Sequence, residues 1–354
     1  MPDFSKQRSY QVNCTISESP CLTTLGRVCS STQKRSRMNT YENQKEEYLS
    51  FLESHYPQAL QKDIEKVVIG QTDAVQMCCQ ILFEHVTRIA NPNSGMKKHN
   101  YFLIGPTGSG KTEIWRCLSK VSPVPIPIIS SAEVTPAGVK DLGIEDLFSA
   151  LLRQYSNLEN GIIILDEFDK LIRPRSFDSG SNISNIIQSE LLKVFEGSYL
   201  YKNNSVLINT CNITFICIGT FSEDNTFSVS QNINVFSLLR EYGIIPELLG
   251  RFSGPIIRTN KLSEEDYLKI LLKSASGFKQ IADHYLYCYN VKIRIDDEAL
   301  NVIARFAADN QQLGVRGMHT IIEEAIRRRL PGRKLSKKHV IKITVDDIIH
   351  PCTQ

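Results

Sequence analysis

Between Tyr41 and about residue 260, stretches with apolar residues at helical spacing alternate with short continuous apolar runs, notably Tyr101–Ile104, Ile162–Leu165 and Thr214–Ile218. Such runs, rich in β-branched and aromatic residues, predict strands covered on both faces, and their alternation with helices predicts a parallel sheet between helices. After about Asn260 the pattern becomes mostly helical. Ser263 with Asp266 three residues on predicts a capped helix start, and Tyr267, Ile270 and Leu271 follow on one face. Leu300, Ile303, Ala304 and Ala307 mark a second helix, and Met318, Ile321, Ile322 and Ala325 a third. These stripes read as core faces. Val340 to Val345 reads as one late strand. Residues 1–40, rich in Ser and Thr, show neither period, and no internal repeat is visible. The expected organisation is a flexible tail at 1–40, a large α/β domain at 41–260 and a small, mainly helical domain at 261–354. Met38 precedes the first predicted helix and is a candidate for the true start.

Composition narrows the class. The chain has 354 residues, 42% hydrophobic and 22% charged, which excludes a largely disordered protein. No apolar run is longer than Tyr285–Tyr289, whereas a spanning helix needs roughly 20 mostly apolar residues, so no membrane segment is expected. The formal charge is +3, and residues 1–40 hold six Lys/Arg against two Asp/Glu, so the rest of the chain is close to neutral. Charge therefore gives no global argument for nucleic acid. A local basic run, Arg327, Arg328, Arg329, Arg333, Lys334, Lys337 and Lys338, reads first as a solvated helix end and tail. The ten cysteines include no C-x-x-C pair, and Cys78, Cys79, Cys117 and Cys217 sit within apolar stretches, as expected in a reducing compartment. Cys14, Cys21 and Cys29 lack zinc-ligand spacing. With no apolar signal-peptide region visible, a cytoplasmic location is expected.

The chemistry concentrates in two segments. Gly105-Pro106-Thr107-Gly108-Ser109-Gly110-Lys111-Thr112 fits G-x-x-x-x-G-K-[ST], follows the predicted strand at Tyr101–Ile104, and precedes a helical run with Ile114, Trp115 and Leu118. Phosphates need close backbone approach, inward N–H groups, a helix N-terminus and a lysine charge, and this segment supplies all four. Thr112 offers a hydroxyl to Mg²⁺. Ile162–Leu165 ends in Asp166 and Glu167. Asp166 is expected to hold Mg²⁺, directly or through water, and Glu167 to orient or deprotonate the attacking water. The pair argues for ATP hydrolysis rather than nucleotide binding alone.

The ordered segments Val68-Ile69-Gly70-Gln71, Gly105–Thr112, Leu165–Leu171, Glu190–Gly197, Ile245–Phe252 and Gly314-Val315-Arg316-Gly317 resemble those of ClpX-type AAA+ unfoldases, over roughly Asp63 to Asp347. The resemblance implies an α/β P-loop AAA+ domain followed by a small helical lid, with ATP between them and Mg²⁺ as cofactor. It also implies a homo-oligomeric ring, a hexamer in the family, that remodels or unfolds protein substrates as a chaperone. By the same resemblance Ile69, Gly70 and Gln71 flank the adenine, Arg251 is an arginine finger reaching a neighbouring subunit, and Arg316 is the sensor-2 arginine. Fixed guanidinium groups suit the charge that spreads over phosphate oxygens in the transition state. The sensor-1 position falls in or just after Phe215–Phe221, where Thr220 is the polar candidate.

Departures from the family pattern matter as well. The expected aromatic pore loop reads Gly138-Val139-Lys140-Asp141-Leu142-Gly143, without the aromatic. Between Phe221 and Tyr242, where a tripeptide docks a partner peptidase in the family, the chain reads Asn225-Thr226-Phe227-Ser228-Val229. The basic pore-entrance loop between Gly197 and Asn212 is reduced, and no N-terminal zinc domain is visible. These departures argue for a retained motor without a standard peptidase partner. Two other readings stay open: a DNA-associated ATPase, motivated by the basic run from Arg327, and a nucleotide-switched scaffold that barely hydrolyses.

Overall fold

The computed structural model describes residues 31–131, 144–172, 183–221, 235–273, 277–310, 314–330 and 339–349. Contacts within the chain separate Met1–Glu46 from Glu47–Gln354. Of the first unit the described part is helical, belonging to α1 (Ser31–Ser54).

In chain order there follow α2 (Pro57–Ile64), α3 (Thr72–Ala90), β1 (Tyr101–Ile104), α4 (Lys111–Ser119), β2 (Ile128–Ser130), α5 (Ile144–Gln154), β3 (Ile162–Asp166), α6 (Phe168–Ile172) and α7 (Ile183–Glu196). Next come β4 (Tyr199–Lys202), β5 (Ser205–Asn209), β6 (Thr214–Gly219), α8 (Val235–Glu241), α9 (Pro246–Leu249) and β7 (Ile257–Arg258). The last elements are α10 (Glu264–Lys273), α11 (Phe278–Tyr289), β8 (Val291–Ile295), α12 (Asp297–Asp309), α13 (Gly314–Arg329), β9 (His339–Ile343) and α14 (Val345–Ile349).

Five strands form a sheet in the order β2-β3-β6-β1-β7, with every neighbouring pair parallel. The two-residue period of the strands divides their side chains between two cores. Phe102, Ile104, Ile163, Leu165, Phe215 and Cys217 join a cluster with residues of α5 to α9, including Phe148, Phe168, Leu191, Leu239 and Leu248. Tyr101, Leu103, Ile162, Ile164, Ile216 and Ile218 join the other with residues of α2 to α4, including Leu60, Leu82 and Trp115. Both faces are covered, which is why these strands read as continuous apolar runs. A third cluster fills the C-terminal part, where the predicted faces of α10 and α12 are buried with Met318, Ile322, Ala325 and Ile326 of α13.

The start of α10 forms as its sequence predicts. Ser263 N–H and Oγ donate to Asp266 Oδ2 at 3.0 and 2.7 Å, and Asp266 N–H donates back to Ser263 Oγ at 3.1 Å. Several elements differ from the expectation. The first helix begins at Ser31, before Met38. The last strand stops at Ile343, because Thr344 N–H donates to Asp347 Oδ2 at 2.8 Å and starts α14 where a strand through Val345 was expected. The helical part also contains β8, paired in parallel with β9. Its alternation of Val291, Ile293 and Ile295 with Lys292 and Arg294 is the signal the helix-dominated reading missed. The hairpin β4–β5 turns at Asn203 and Asn204, whose φ values of 51° and 61° suit a tight two-residue turn.

Candidate active site

The carboxyl ends of β1, β3 and β6 open into a cleft of about 460 Å³, bounded on one side by the 67–69 segment and on another by α10 and α13. The loop from β1 to α4 carries Thr107 to Thr112 along its floor. Gly108 has φ +73°, and a Cβ there would lie 2.9 Å from Gly314 Cα at the start of α13, so the lid helix approaches the loop where no side chain fits. Lys111, the first residue of α4, is buried and donates to the carbonyls of Gly105 (2.8 Å) and Pro106 (2.6 Å). Burial pushes its pKa down to about 8, while Asp166 and Asp169 pull the other way.

Thr112 and Asp166 meet across the cleft floor: Thr112 Oγ1 donates to Asp166 Oδ2 at 2.7 Å. Asp166 Oδ1 accepts from the Glu167 N–H at 2.9 Å. Glu167 has φ +56°, a left-handed conformation that costs a non-glycine residue energy and is typical of functional turns. The turn brings Glu167 into the cleft wall, where Lys170 Nζ pairs with its Oε1 at 2.6 Å. Thr220, just past β6, donates to Asp169 Oδ2 at 2.8 Å and lines the cleft. A hydroxyl and a carboxylate 2.7 Å apart, both hard oxygen donors, fit an Mg²⁺ ion that takes most of its other ligands from phosphates and water.

The lid contributes Arg316 and, one helical turn on, His319, with Val315 beside them. Of the residues expected to flank adenine, Ile69 lines the cleft. Gly70 and Gln71 do not: Gly70 packs against Leu262 and Asp266, and Gln71 is buried with its carboxamide bonded to Asn260. Arg251 also lies outside its own chain's cleft. It pairs with Glu196, and its carbonyl accepts from Asn100 Nδ2 at 3.0 Å. Asp169, Lys170 and His319 were not singled out as site residues by sequence. Lys170 and His319 had a signal, a spacing of three residues from Glu167 and Arg316 that spans one turn, whereas Asp169 follows the strand-end Asp166 and is placed by the start of α6.

The basic run has a structural use. Arg327, Arg328 and Arg329 pair with Glu323, Glu324 and Asp347, while Arg333, Lys334, Lys337 and Lys338 lie outside the described residues. The pore-loop stretch 138–143 and residues 225–229 lie outside them as well, as do Cys14, Cys21 and Cys29. Among the described residues no helix is long and apolar enough to cross a membrane.

A parallel sheet with a glycine-rich phosphate loop, a strand ending in Asp-Glu and a lid closing over both defines a P-loop ATPase of the AAA class. The AAA domain (Cdc48 subfamily) family matches residues 96–254. The chain is 30% identical over 314 residues to the ATP-dependent Clp protease ATP-binding subunit ClpX of Treponema denticola, covering 76% of this chain and 75% of that protein. It is 31% identical over 306 residues to ClpX 2 of Wolinella succinogenes, with 76% of each covered. A third relative, ClpX of Bacteroides thetaiotaomicron, is 26% identical over 346 residues. The chain belongs to the ClpX family of AAA+ ATPases and is an ATP-dependent unfoldase of that type.

Proposed function

We propose that the chain works as a homo-oligomeric ring, hexameric as in the family resemblance, that uses Mg²⁺-ATP to unfold or remodel protein clients without a standard peptidase partner. The observation that supports it most is the convergence of Lys111, Thr112, Asp166 and Glu167 on one cleft floor. Lys111 would neutralise the β/γ-phosphates, exchanging its two carbonyl partners for phosphate oxygens. Thr112 and Asp166 would hold Mg²⁺, which neutralises charge on the phosphates when bound. Glu167 orients the attacking water and takes its proton, and Thr220 holds Asp169 beside it. Arg316 would meet the phosphates from the lid, and Arg251, exposed away from its own cleft, would serve the site of a neighbouring subunit. We place the division between nucleotide domain and lid near residue 260, and the end of the tail near residue 40.

The arginine ion pairs on α13 and the family assignment do not favour the DNA-associated reading. Val139 and Lys140, in place of an aromatic, offer little area for gripping an extended chain, so pulling on stably folded proteins should be weak. The test combines particle size with unfolding. Assembly on adding ATP, together with ATP-dependent unfolding of a loosely folded tagged protein that stops in Glu167→Gln, is the expected result. ATP turnover stimulated by DNA and indifferent to protein substrates would overturn the proposal.

A further inference from the structure

The covalent path from the sheet to the lid runs through Thr259, Asn260, Lys261 and Leu262, between β7 and α10. Three residues of this segment are held in place. Thr259 N–H donates to Ile104 O at 2.9 Å, and its hydroxyl meets Ser109 Oγ, inside the phosphate loop, at 2.7 Å. Leu262 is buried against Gly70. Between them, the backbone of Asn260 is held by one side chain: Gln71 Nε2 donates to Asn260 O at 2.8 Å, and Asn260 N–H donates to Gln71 Oε1 at 2.8 Å, so the peptide groups before and after Asn260 are both engaged.

This pairing imitates a strand ladder across 189 residues of sequence. Gln71 is 1% exposed, whereas Asn260 is an exposed residue used through its backbone alone. With one donor and one acceptor satisfied by the backbone N–H and C=O of the same residue, the carboxamide is committed to the hinge and turned from the cleft. Gln71 is also the N-cap of α3 and follows Ile69, which lines the cleft. A rigid helix start therefore connects the base-binding wall to the hinge peptide.

We infer that Gln71 is a positioning residue for hydrolysis. Its carboxamide sets the angle of the lid by clamping the backbone N–H and C=O of Asn260, so that nucleotide beside Ile69 and closure of the lid carrying Arg316 are coupled. The inference rests on the reading of the cleft as an ATPase site and assigns Gln71 a role other than contact with adenine. Loss of the clamp leaves the base-binding surface intact and loosens the arm that delivers Arg316. It therefore acts on turnover more than on base recognition.

The test uses the full chain with Gln71→Met, which keeps the length and removes both bonds, and Gln71→Glu, which keeps an acceptor for Asn260 N–H. Hydrogen exchange at Asn260, the affinities for ATP and GTP in a Glu167→Gln background, and steady-state turnover are measured together. For Gln71→Met, exchange at Asn260 should quicken about tenfold or more and kcat should fall about tenfold, as loss of two hydrogen bonds implies. KM should change less than kcat, and the ATP/GTP preference should stay within about twofold. Gln71→Glu should retain part of the Asn260 protection. A large loss of ATP/GTP preference with Asn260 exchange unchanged would overturn the inference in favour of base reading. Unchanged turnover despite a freed Asn260 would overturn it as well. If the variants do not fold, the unmodified chain decides: slow exchange at Asn260 supports the clamp, and the rate of a free amide overturns it. A wild-type chain that turns over no ATP defeats the ATPase reading, while exchange and nucleotide preference still report on Gln71.

Discussion

The two ends of the same sheet treat polar groups in opposite ways. At the amino-terminal end of β1, β3 and β6, buried polar side chains close on other protein groups. His85 Nε2 meets Asn160 O at 2.9 Å, so that nitrogen carries the proton, and Nδ1 accepts from Thr214 Oγ1 at 2.9 Å. Asn100 Nδ2 donates to Phe195 O and Arg251 O, and its Oδ1 accepts from Phe215 N–H. At the carboxyl end, Lys111, Thr112, Asp166 and Glu167 converge on an open cleft. Buried polarity whose donors and acceptors match holds a fold together; polarity that converges on open space awaits a ligand.

Substitutions at the two ends should separate these roles. The largest effect belongs to Arg251→Ala: its guanidinium lies outside its own chain's cleft and is proposed to serve a neighbour's, so the variant should keep ATP binding and lose turnover by ~10³–10⁵, the range for a lost arginine finger. Mixing it with Lys111→Ala should restore activity where one subunit's intact loop meets the other's intact finger. Demonstrated co-assembly without restored hydrolysis would count against a shared site. Next, Glu167→Gln should bind ATP and lose hydrolysis by ~10²–10⁴, measured in single turnover, because the proposed general base is removed while the proposed phosphate contacts remain. Equal rates in variant and wild type would break the assignment.

The other end should respond in stability instead. Asn100→Ala leaves the Phe215 N–H and the carbonyls of Phe195 and Arg251 without this partner, at a cost of about 2–4 kcal/mol, with ATP affinity unchanged. Thermal melting and nucleotide titration check both halves. His85 gives a pH signature. Burial, chiefly, lowers its pKa from 6.5 to about 3, so the folded state binds fewer protons than the unfolded chain between those values. Stability should fall as pH drops through that window, by up to about 1.4 kcal/mol per unit, and His85→Gln should flatten that slope.

The smallest effect lies in the cleft. With Lys111 near 8 in the free chain and held charged by bound phosphate, binding takes up a proton above that pH. ATP affinity of the Glu167→Gln protein should weaken by up to about tenfold per unit as pH rises above 8. A flat profile to pH 9.5 would show that Lys111 stays fully charged without nucleotide.

Much of this site was legible in the residues. The phosphate loop and the Asp-Glu strand end are local patterns: glycines where backbone must approach phosphate, and carboxylates where a buried strand emerges. The helix faces around Leu300 and Tyr267 were legible for the same reason, since burial follows the helical period. Thr220 could be named, but its bond to Asp169 could not, because the two lie 51 residues apart. Gln71 shows the limit most clearly. The family resemblance placed it against adenine, whereas its side chain bonds the backbone of a residue 189 positions away.

What the sequence alone determined was the inventory: a parallel sheet between helices, the glycine-rich loop with its lysine, and the two carboxylates at a strand end. Periodicity and local backbone demands are written in short windows, so they survive without coordinates. What only the tertiary structure decided was the pairing: Thr112 with Asp166, Thr220 with Asp169, Arg251 with Glu196 and Gln71 with Asn260. Those choices depend on which surfaces strand order and lid closure bring within hydrogen-bond reach, a distance of about 3 Å that spacing along a chain does not encode.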